Sequence, residues 1–426
     1  MNIKLSLTTT LLLTSTFLSA MQFQTIGYKS VAMGGATVAS SSGSAATYNN
    51  PALLGKSKYS VEVSLAAGAS LYDHGAGASM KSLDDTDFLD TLDRVSQEIS
   101  QGVITISPTD VNNLYSGKDV IIAMDGKAAE TSPHAYLAAQ VYGFGFGVFG
   151  TSDAVSIAHV DQDRTRLIFE DPSGYSELNS DGSITFNISE AEYNANSMEY
   201  AINNGTTYAQ VDAIGIVEIP LAYGHKFETA AGNVYVGGTL KYMMATTYTE
   251  KYKIDNTDSV SSTIESDSSD FGLDFGLAYE PSFSKDLTLA LVAKNLNTPE
   301  FTFGISTIKV EPMVRVGVAY DIFESLEIAM DVDVTSNKTL LETVENQMIG
   351  GGLNYHPASW FALRGGLMQN LASNDQAGII YTVGLGFGTK WLQLDLSGEM
   401  SSNSQTVQDT TYPRYAKVNL ALISRW

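Results

Sequence analysis

The sequence predicts an all-β chain, a single-chain transmembrane antiparallel β-barrel of about fourteen strands with an amino-terminal plug, or hatch. Three observations carry this. In the second half, alternating apolar segments repeatedly place an aromatic residue at the last outward position before a short polar turn: Tyr223, Tyr279, Tyr320, Tyr355, Phe387 and the terminal Trp426. Such rings are most stable at a membrane–water boundary, so each barrel hairpin tends to repeat one at the same height. Hydrophobic content is 44%, yet beyond the first twenty residues no stretch is both apolar and helix-compatible over a spanning length. Backbone inside a bilayer must satisfy its own hydrogen bonds, which leaves the closed sheet. Finally, tight connections alternate with long polar ones, as when strands run up and down through one wall.

Met1 to Ala20 reads as a secretory signal peptide: Lys4, an apolar core from Leu5 to Leu18, then Ser19-Ala20. Residues 21–56 form the plug segment and 57–426 the barrel. Alternation places the first strand near Tyr59 to Leu71, the second and third near Tyr136 to Gly150 and Ala154 to Val160, and a hairpin over Ala209–Tyr223 and Val234–Met244 with His225 to Gly232 as its turn. Ala135 to Thr151 lacks charge, but its four glycines would each cost a helix roughly 1 kcal/mol, so it is read as strand, with Tyr142, Phe144, Phe146 and Val148 on one face. The later strands pair as Phe271–Tyr279 with Leu287–Ala293, Val314–Tyr320 with Leu326–Val334, Ile349–Tyr355 with Phe361–Leu367, and Ile379–Phe387 with Leu392–Met400. Val418, Leu420, Leu422 and Trp426 close the barrel, and this terminal strand is the expected signal for the outer-membrane insertion machinery.

Long loops at 73–132, 161–205 and 251–268 oppose tight turns such as His356–Ala358, which predicts an outer-membrane protein with both termini in the periplasm. Composition predicts that 251–268 is mobile. Within the first loop Phe88, Leu92, Val95 and Ile99 recur at helical spacing, predicting a helix over Leu83–Gln101 packed on the barrel mouth.

The plug runs from Ile26 through Met33-Gly34-Gly35-Ala36 to Tyr48-Asn49-Asn50-Pro51-Ala52-Leu53-Leu54. It is rich in small residues, packs closely and can fill a lumen too wide for side chains alone. Met33-Gly34-Gly35-Ala36 followed by Asn50-Pro51-Ala52 resembles the hatch of the FadL-like long-chain fatty-acid transporter superfamily of fourteen-stranded outer-membrane barrels. The closer resemblance is to the barrel family named for conjugal transfer protein TraF, in which Asn-Pro-Ala-Leu precedes the first strand and an acidic helical stretch follows it. The resemblance implies a plugged barrel with a hydrophobic-solute lineage.

With 47 acidic against 24 basic residues the net charge is −23, which disfavours direct nucleic-acid binding. Cysteine is absent, so thiol chemistry and disulfides are excluded. The five histidines are scattered, and neither HExxH nor GxSxG occurs, so no catalytic residue, cofactor or metal is expected. Asp161 with Asp163, or Asp84, Asp85 and Asp87, could offer Ca²⁺ oxygens but follow no calcium-loop pattern and are read as loop acids. The Gly143-x-Gly145-x-Gly147 run is no dinucleotide loop, since no helix follows it.

On the inward parity lie Glu62, Asp212, Glu218, Asp270, Asp274, Glu327, Asp331, Asp333, Asp395 and Glu399 against Lys241, Lys294, Arg315, Arg364 and Lys417. Basic side chains on the lipid face would cost roughly 2–4 kcal/mol each near the midplane. Arg315 is expected to pair with Asp331 or Asp333. Pro220, lacking a backbone N–H within a strand, is the candidate lateral gate and should force a bulge or gap. The leading functional expectation is passive uptake of a small hydrophobic ligand. A structural role with envelope partner proteins of a conjugation or secretion system is the alternative, and a membrane-embedded enzyme the least favoured.

Overall fold

A computed structural model describes residues 24–254, 264–303, 306–341, 344–372, 376–407 and 410–426. Fourteen antiparallel strands form a closed barrel: β1 Val61–Asp73, β2 Ala128–Val141, β3 Phe144–His159, β4 Tyr208–Thr229, β5 Gly232–Lys253, β6 Ile264–Pro281, β7 Leu287–Lys294, β8 Met313–Phe323, β9 Leu326–Asp333, β10 Met348–Ala358, β11 Phe361–Asn370, β12 Ile379–Thr389, β13 Leu392–Ser401 and β14 Tyr415–Arg425. Each strand pairs with its neighbours in sequence, and β14 returns to β1 with Leu422 opposite Leu65. Closure removes the unpaired edge that an open sheet would carry into lipid. No helix among the described residues is long and apolar enough to cross a membrane.

Alternation decides which face each residue takes. Along β12, Tyr381, Val383, Leu385 and Phe387 point outward and are exposed, whereas Thr382 between them is buried in the lumen. An apolar exterior of this kind is stable only against hydrocarbon. Tyr320, Tyr355, Phe387 and Trp426 lie exposed toward the end of the barrel that carries the tight turns.

Three boundaries differ from the sequence reading. The stretch read as one strand from Tyr136 to Gly150 is a hairpin, with Val141 opposite Phe144 and Tyr142 at φ 52°. The outward apolar parity flips there, from odd at Leu137 to even at Phe144, as a two-residue turn requires. The expected turn at His225–Gly232 is mostly strand, because the ladder continues to Thr229 opposite Gly232. Tyr223 therefore sits well before its strand end, with Phe227 outward beyond it. The loop expected at 251–268 is shortened from both sides by β5 and β6, and residues 255–263 lie outside the described residues.

Two prolines interrupt the ladder on either side of β3. Between β2 and β3 pairing lapses at Ser132–Pro133, resuming from Thr131 opposite Ala154 to His134 opposite Thr151. Between β3 and β4 it lapses at Ile219–Pro220, between the pairs Phe146–Leu221 and Phe149–Glu218. The register is unchanged across both. Each proline lacks a donor, and the ladder leaves out the two residue pairs around it.

The first two long connections fold together into a cap. Helices α1 Ala76–Asp84, α2 Phe88–Ser100 and α3 Pro108–Ala123 come from the first. The second supplies a three-stranded sheet and helices α4 Glu190–Asn196 and α5 Met198–Asn203. Phe88, Leu92, Val95 and Ile99 form the buried stripe of α2, but they pack on Leu114, Phe169, Leu178 and Met198 within the cap. The expectation that this helix packs on the barrel mouth is corrected: the second loop supplies a larger apolar face. Inside the cap, burial pushes the Glu199 carboxyl up, while Ser96 and Tyr193 donate hydrogen bonds to it.

Candidate functional site

Residues 26–54 lie inside the barrel and are almost wholly buried. Their seat is built of glycine. Three adjacent strands present Gly224, Gly237 and Gly276 inward beneath Asn50-Pro51-Ala52, and a Cβ at any of the three would collide with the backbone of that motif or the Asn50 amide. Across the lumen, Gly350 and Gly352 on β10 and Gly366 on β11 do the same beneath Met33-Gly34. Gly34 takes the left-handed conformation there, φ 62°. Gly35 does likewise at φ 77° and lies against Thr25 and Met368. Asn50 caps the turn that follows it: its Oδ1 accepts from the Ala52 N–H at 3.1 Å, and its Nδ2 donates to the Val38 carbonyl at 2.8 Å. Pro51 opens the short 3-10 helix Pro51–Lys56, where a missing N–H leaves nothing unsatisfied.

Charge then ties the plug to the wall. One oxygen of Asp331 accepts from the backbone N–H groups of Thr37 at 2.6 Å and Val38 at 2.8 Å, and from the Thr37 hydroxyl at 3.2 Å. Glu62 on β1 accepts from the Ser44 N–H and hydroxyl, both at 2.9 Å. It also takes a hydrogen bond from Arg425 on β14 at 2.7 Å, and Arg425 donates onward to Gln393 at 2.6 Å and to the plug's Tyr28 hydroxyl at 3.0 Å. Lys29 pairs with Glu327, and Lys56 with Glu280 at 2.7 Å. Tyr48 stacks on Phe149 with ring centroids 5.1 Å apart, and the Lys294 ammonium lies 3.2 Å from the centre of its ring.

The wall charges divide more finely than parity alone foretold. Arg315 donates to both oxygens of its cross-strand partner Asp333, at 2.5 and 3.0 Å. Asp331, two residues away on the same face, serves the plug instead. Glu218 and Asp274 both reach Lys241 between them, at 3.1 and 3.2 Å. Every one of these groups is buried. Pro220 is inward-facing and buried, opposite Lys241 on β5. The accommodation expected there as a bulge or a gap takes the second form, on the β3 side. Three of the five candidate calcium acids are engaged with bases: Asp84 and Asp85 with Lys81, and Asp161 with Arg164. Among the described residues no cluster of three or more His, Asp or Glu is placed to hold a metal ion.

Above the plug, toward the long loops, a cavity of about 90 Å³ remains. Gln24 and Thr25 form its floor, Met348, Met368 and Ile380 one wall, and Tyr72, Glu130, Glu399 and Tyr415 the other. Sequence reasoning missed both this cavity and the glycine seat. The seat had a legible trace, since its glycines all fall on the inward parity of their strands.

A family model described as "F plasmid transfer operon, TraF, protein" matches residues 47–333, well over half of the chain. The chain belongs to this TraF family. The matched span opens on the plug's Tyr48-Asn49-Asn50-Pro51-Ala52 run and ends at Asp333, taking in the cap. Among solved structures, this TraF-family barrel is similar to a deltaS2 mutant of the TodX monoaromatic hydrocarbon channel, with TM-score 0.52, 11% identity, and coverage of 95% of this chain and 100% of that one. It is also similar to the Ralstonia pickettii toluene transporter TbuX, with TM-score 0.51, 11% identity and coverage of 94% and 98%. The P. putida toluene transporter TodX gives 0.50, 11%, 95% and 99%. At such identity the likeness is one of fold alone, a closed barrel of fourteen antiparallel strands. No curated protein matches the chain.

Proposed function

We propose that this barrel is a passive channel for small hydrophobic solutes in the bacterial outer membrane, with the plug governing passage. The observation that carries this reading is the buried plug on its glycine seat, in a barrel whose fold is shared with channels named for toluene and monoaromatic hydrocarbons. Tight turns at one end and long connections at the other support an orientation with both termini in the periplasm. Residues 1–20, read as a signal peptide, lie outside the described residues. Toluene uptake into lipopolysaccharide-containing vesicles tests the reading. Uptake well above that of protein-free vesicles, with no partner protein added, is expected. Uptake no faster than the protein-free control would instead leave the structural role in an envelope assembly.

Pro220 is the proposed lateral exit. The ladder lapse beside it leaves the β3–β4 seam two residue pairs short at this point, and inward Glu218 borders the break. Pro220→Val restores the missing donor, so uptake should fall severalfold while the folded yield stays level. Unchanged uptake would rule the exit out.

Trp426 is the proposed assembly signal. Its carbonyl accepts from the N–H groups of Ser60 at 3.0 Å and Val61 at 3.2 Å, and its own N–H donates to the Val61 carbonyl at 2.9 Å, so the last residue helps zip β14 to β1. Deleting Trp426 should lower the heat-modifiable, folded form in outer membranes. Full recovery of that form without it would count against the assignment.

A further inference from the structure

The cavity above the plug is chemically unlike a hydrocarbon pocket. Tyr72 and Tyr415 meet edge to face, with ring centroids 5.9 Å apart. Both are held: the Gln376 N–H donates to the Tyr72 hydroxyl at 2.9 Å, and the Tyr415 hydroxyl donates to one oxygen of Glu399 at 2.7 Å. The other oxygen of Glu399, a residue of the cavity lining that is only 4% exposed, is buried and has no hydrogen-bond partner among the described residues. A buried carboxylate oxygen without a donor costs stability and calls for one. Glu130 adds a second carboxylate, with the His74 ring nitrogen 3.5 Å away and the Ser132 hydroxyl at 3.4 Å. Lys417 is the basic side chain at the cavity, and its ammonium is turned to the Thr25 carbonyl at 2.9 Å.

We propose that this cavity binds a small organic ammonium, a primary amine on a short apolar body. The free Glu399 oxygen accepts from the ammonium, Tyr415 lines the space beside it, and Met348 and Met368 line the space for the alkyl part. Two carboxylates against one lysine disfavour an anion. At about 90 Å³ the space is smaller than the roughly 150 Å³ cavity that admits benzene, so the ligand is a one- or two-carbon alkylamine, smaller than any aromatic ring. The proposal rests on the channel reading only for how the ligand arrives.

Calorimetric titration of the full-length protein in detergent with ethylamine, ethanol and acetate at neutral pH tests it. Ethylammonium should bind at least tenfold more tightly than ethanol, with no heat from acetate. Glu399→Gln should weaken ethylammonium at least tenfold. Glu130→Gln should weaken it severalfold, and reads the same site if the first variant does not fold. Equal affinity for ethanol and ethylammonium, absence of ethylammonium binding, or unchanged binding in folded Glu399→Gln would overturn the proposal. Loss of toluene uptake in the wild type bears on the channel reading alone.

Discussion

Valine at both Gly237 and Gly276 will unseat the plug and raise single-channel conductance in planar bilayers severalfold, toward that of a barrel lacking residues 25–54. A Cβ at Gly237 falls on the backbone of Pro51 and Ala52, and one at Gly276 on the Asn50 side-chain oxygen and the Ala52 nitrogen. Backbone cannot step aside as the end of a flexible side chain can. Asn50 is also the residue that joins the two halves of the plug through Val38, so the disturbance spreads to the segment that Asp331 holds. Overpacking a tight contact costs typically 1–3 kcal/mol per site, and two sites under one motif exceed what two or three hydrogen bonds return. Gly238→Val is the control, because its Cβ points outward and meets nothing closer than 3.8 Å. Conductance at the wild-type level in the double variant would mean that the segment does not obstruct the pore.

Arg425→Ala will lower barrel stability by about 3–5 kcal/mol, the range for removing one partner of a buried ion pair. Glu62 would be left 1% exposed with its charge uncompensated, and Tyr28 and Gln393 would each lose a donor. Because Glu62 stands on β1 and Arg425 on β14, the damage falls on the seam where the sheet closes and on the plug residue Ser44 that Glu62 holds. The measurement is the urea midpoint of tryptophan fluorescence in detergent. Arg425→Ala combined with Glu62→Gln should recover much of the loss, since no buried charge is then stranded. A midpoint unmoved by Arg425→Ala would show that water or plug movement solvates Glu62.

Much of the wall was legible from the sequence because a closed sheet in lipid imposes a strict test on every second residue. One misplaced charge is expensive, so the inward parity of Glu218, Lys241, Arg315, Asp331 and Asp333 could be read from alternation. What alternation does not contain is register. Asp331 and Asp333 share a face, and only the pairing of β8 with β9 gives Arg315 to Asp333 and frees Asp331 for the plug. The glycine seat depends on residues far apart in sequence that meet only when β4, β5 and β6 stand side by side. The hairpin at Tyr142 was hidden for a different reason. Gly143, Gly145 and Gly147 let the turn and the strand after it read as one alternating run, and only the parity flip betrays it. The α2 stripe was visible, but a stripe says that a face is buried and not against what.

The proline lapses give the barrel a schedule as well as a shape. β3 is the strand that loses pairs on both flanks, near Pro133 on one side and Pro220 on the other. Amides with weakened ladders open without global unfolding. In native-state hydrogen exchange, Gly147, Val148, Ser152 and Asp153 should therefore exchange orders of magnitude before their counterparts on β12, where pairing with both neighbours runs unbroken. β3 also leads directly into the second half of the cap at His159. A slow local breathing of this one stave would reach the cap by the shortest covalent route, and the rest of the wall would stay still while it did.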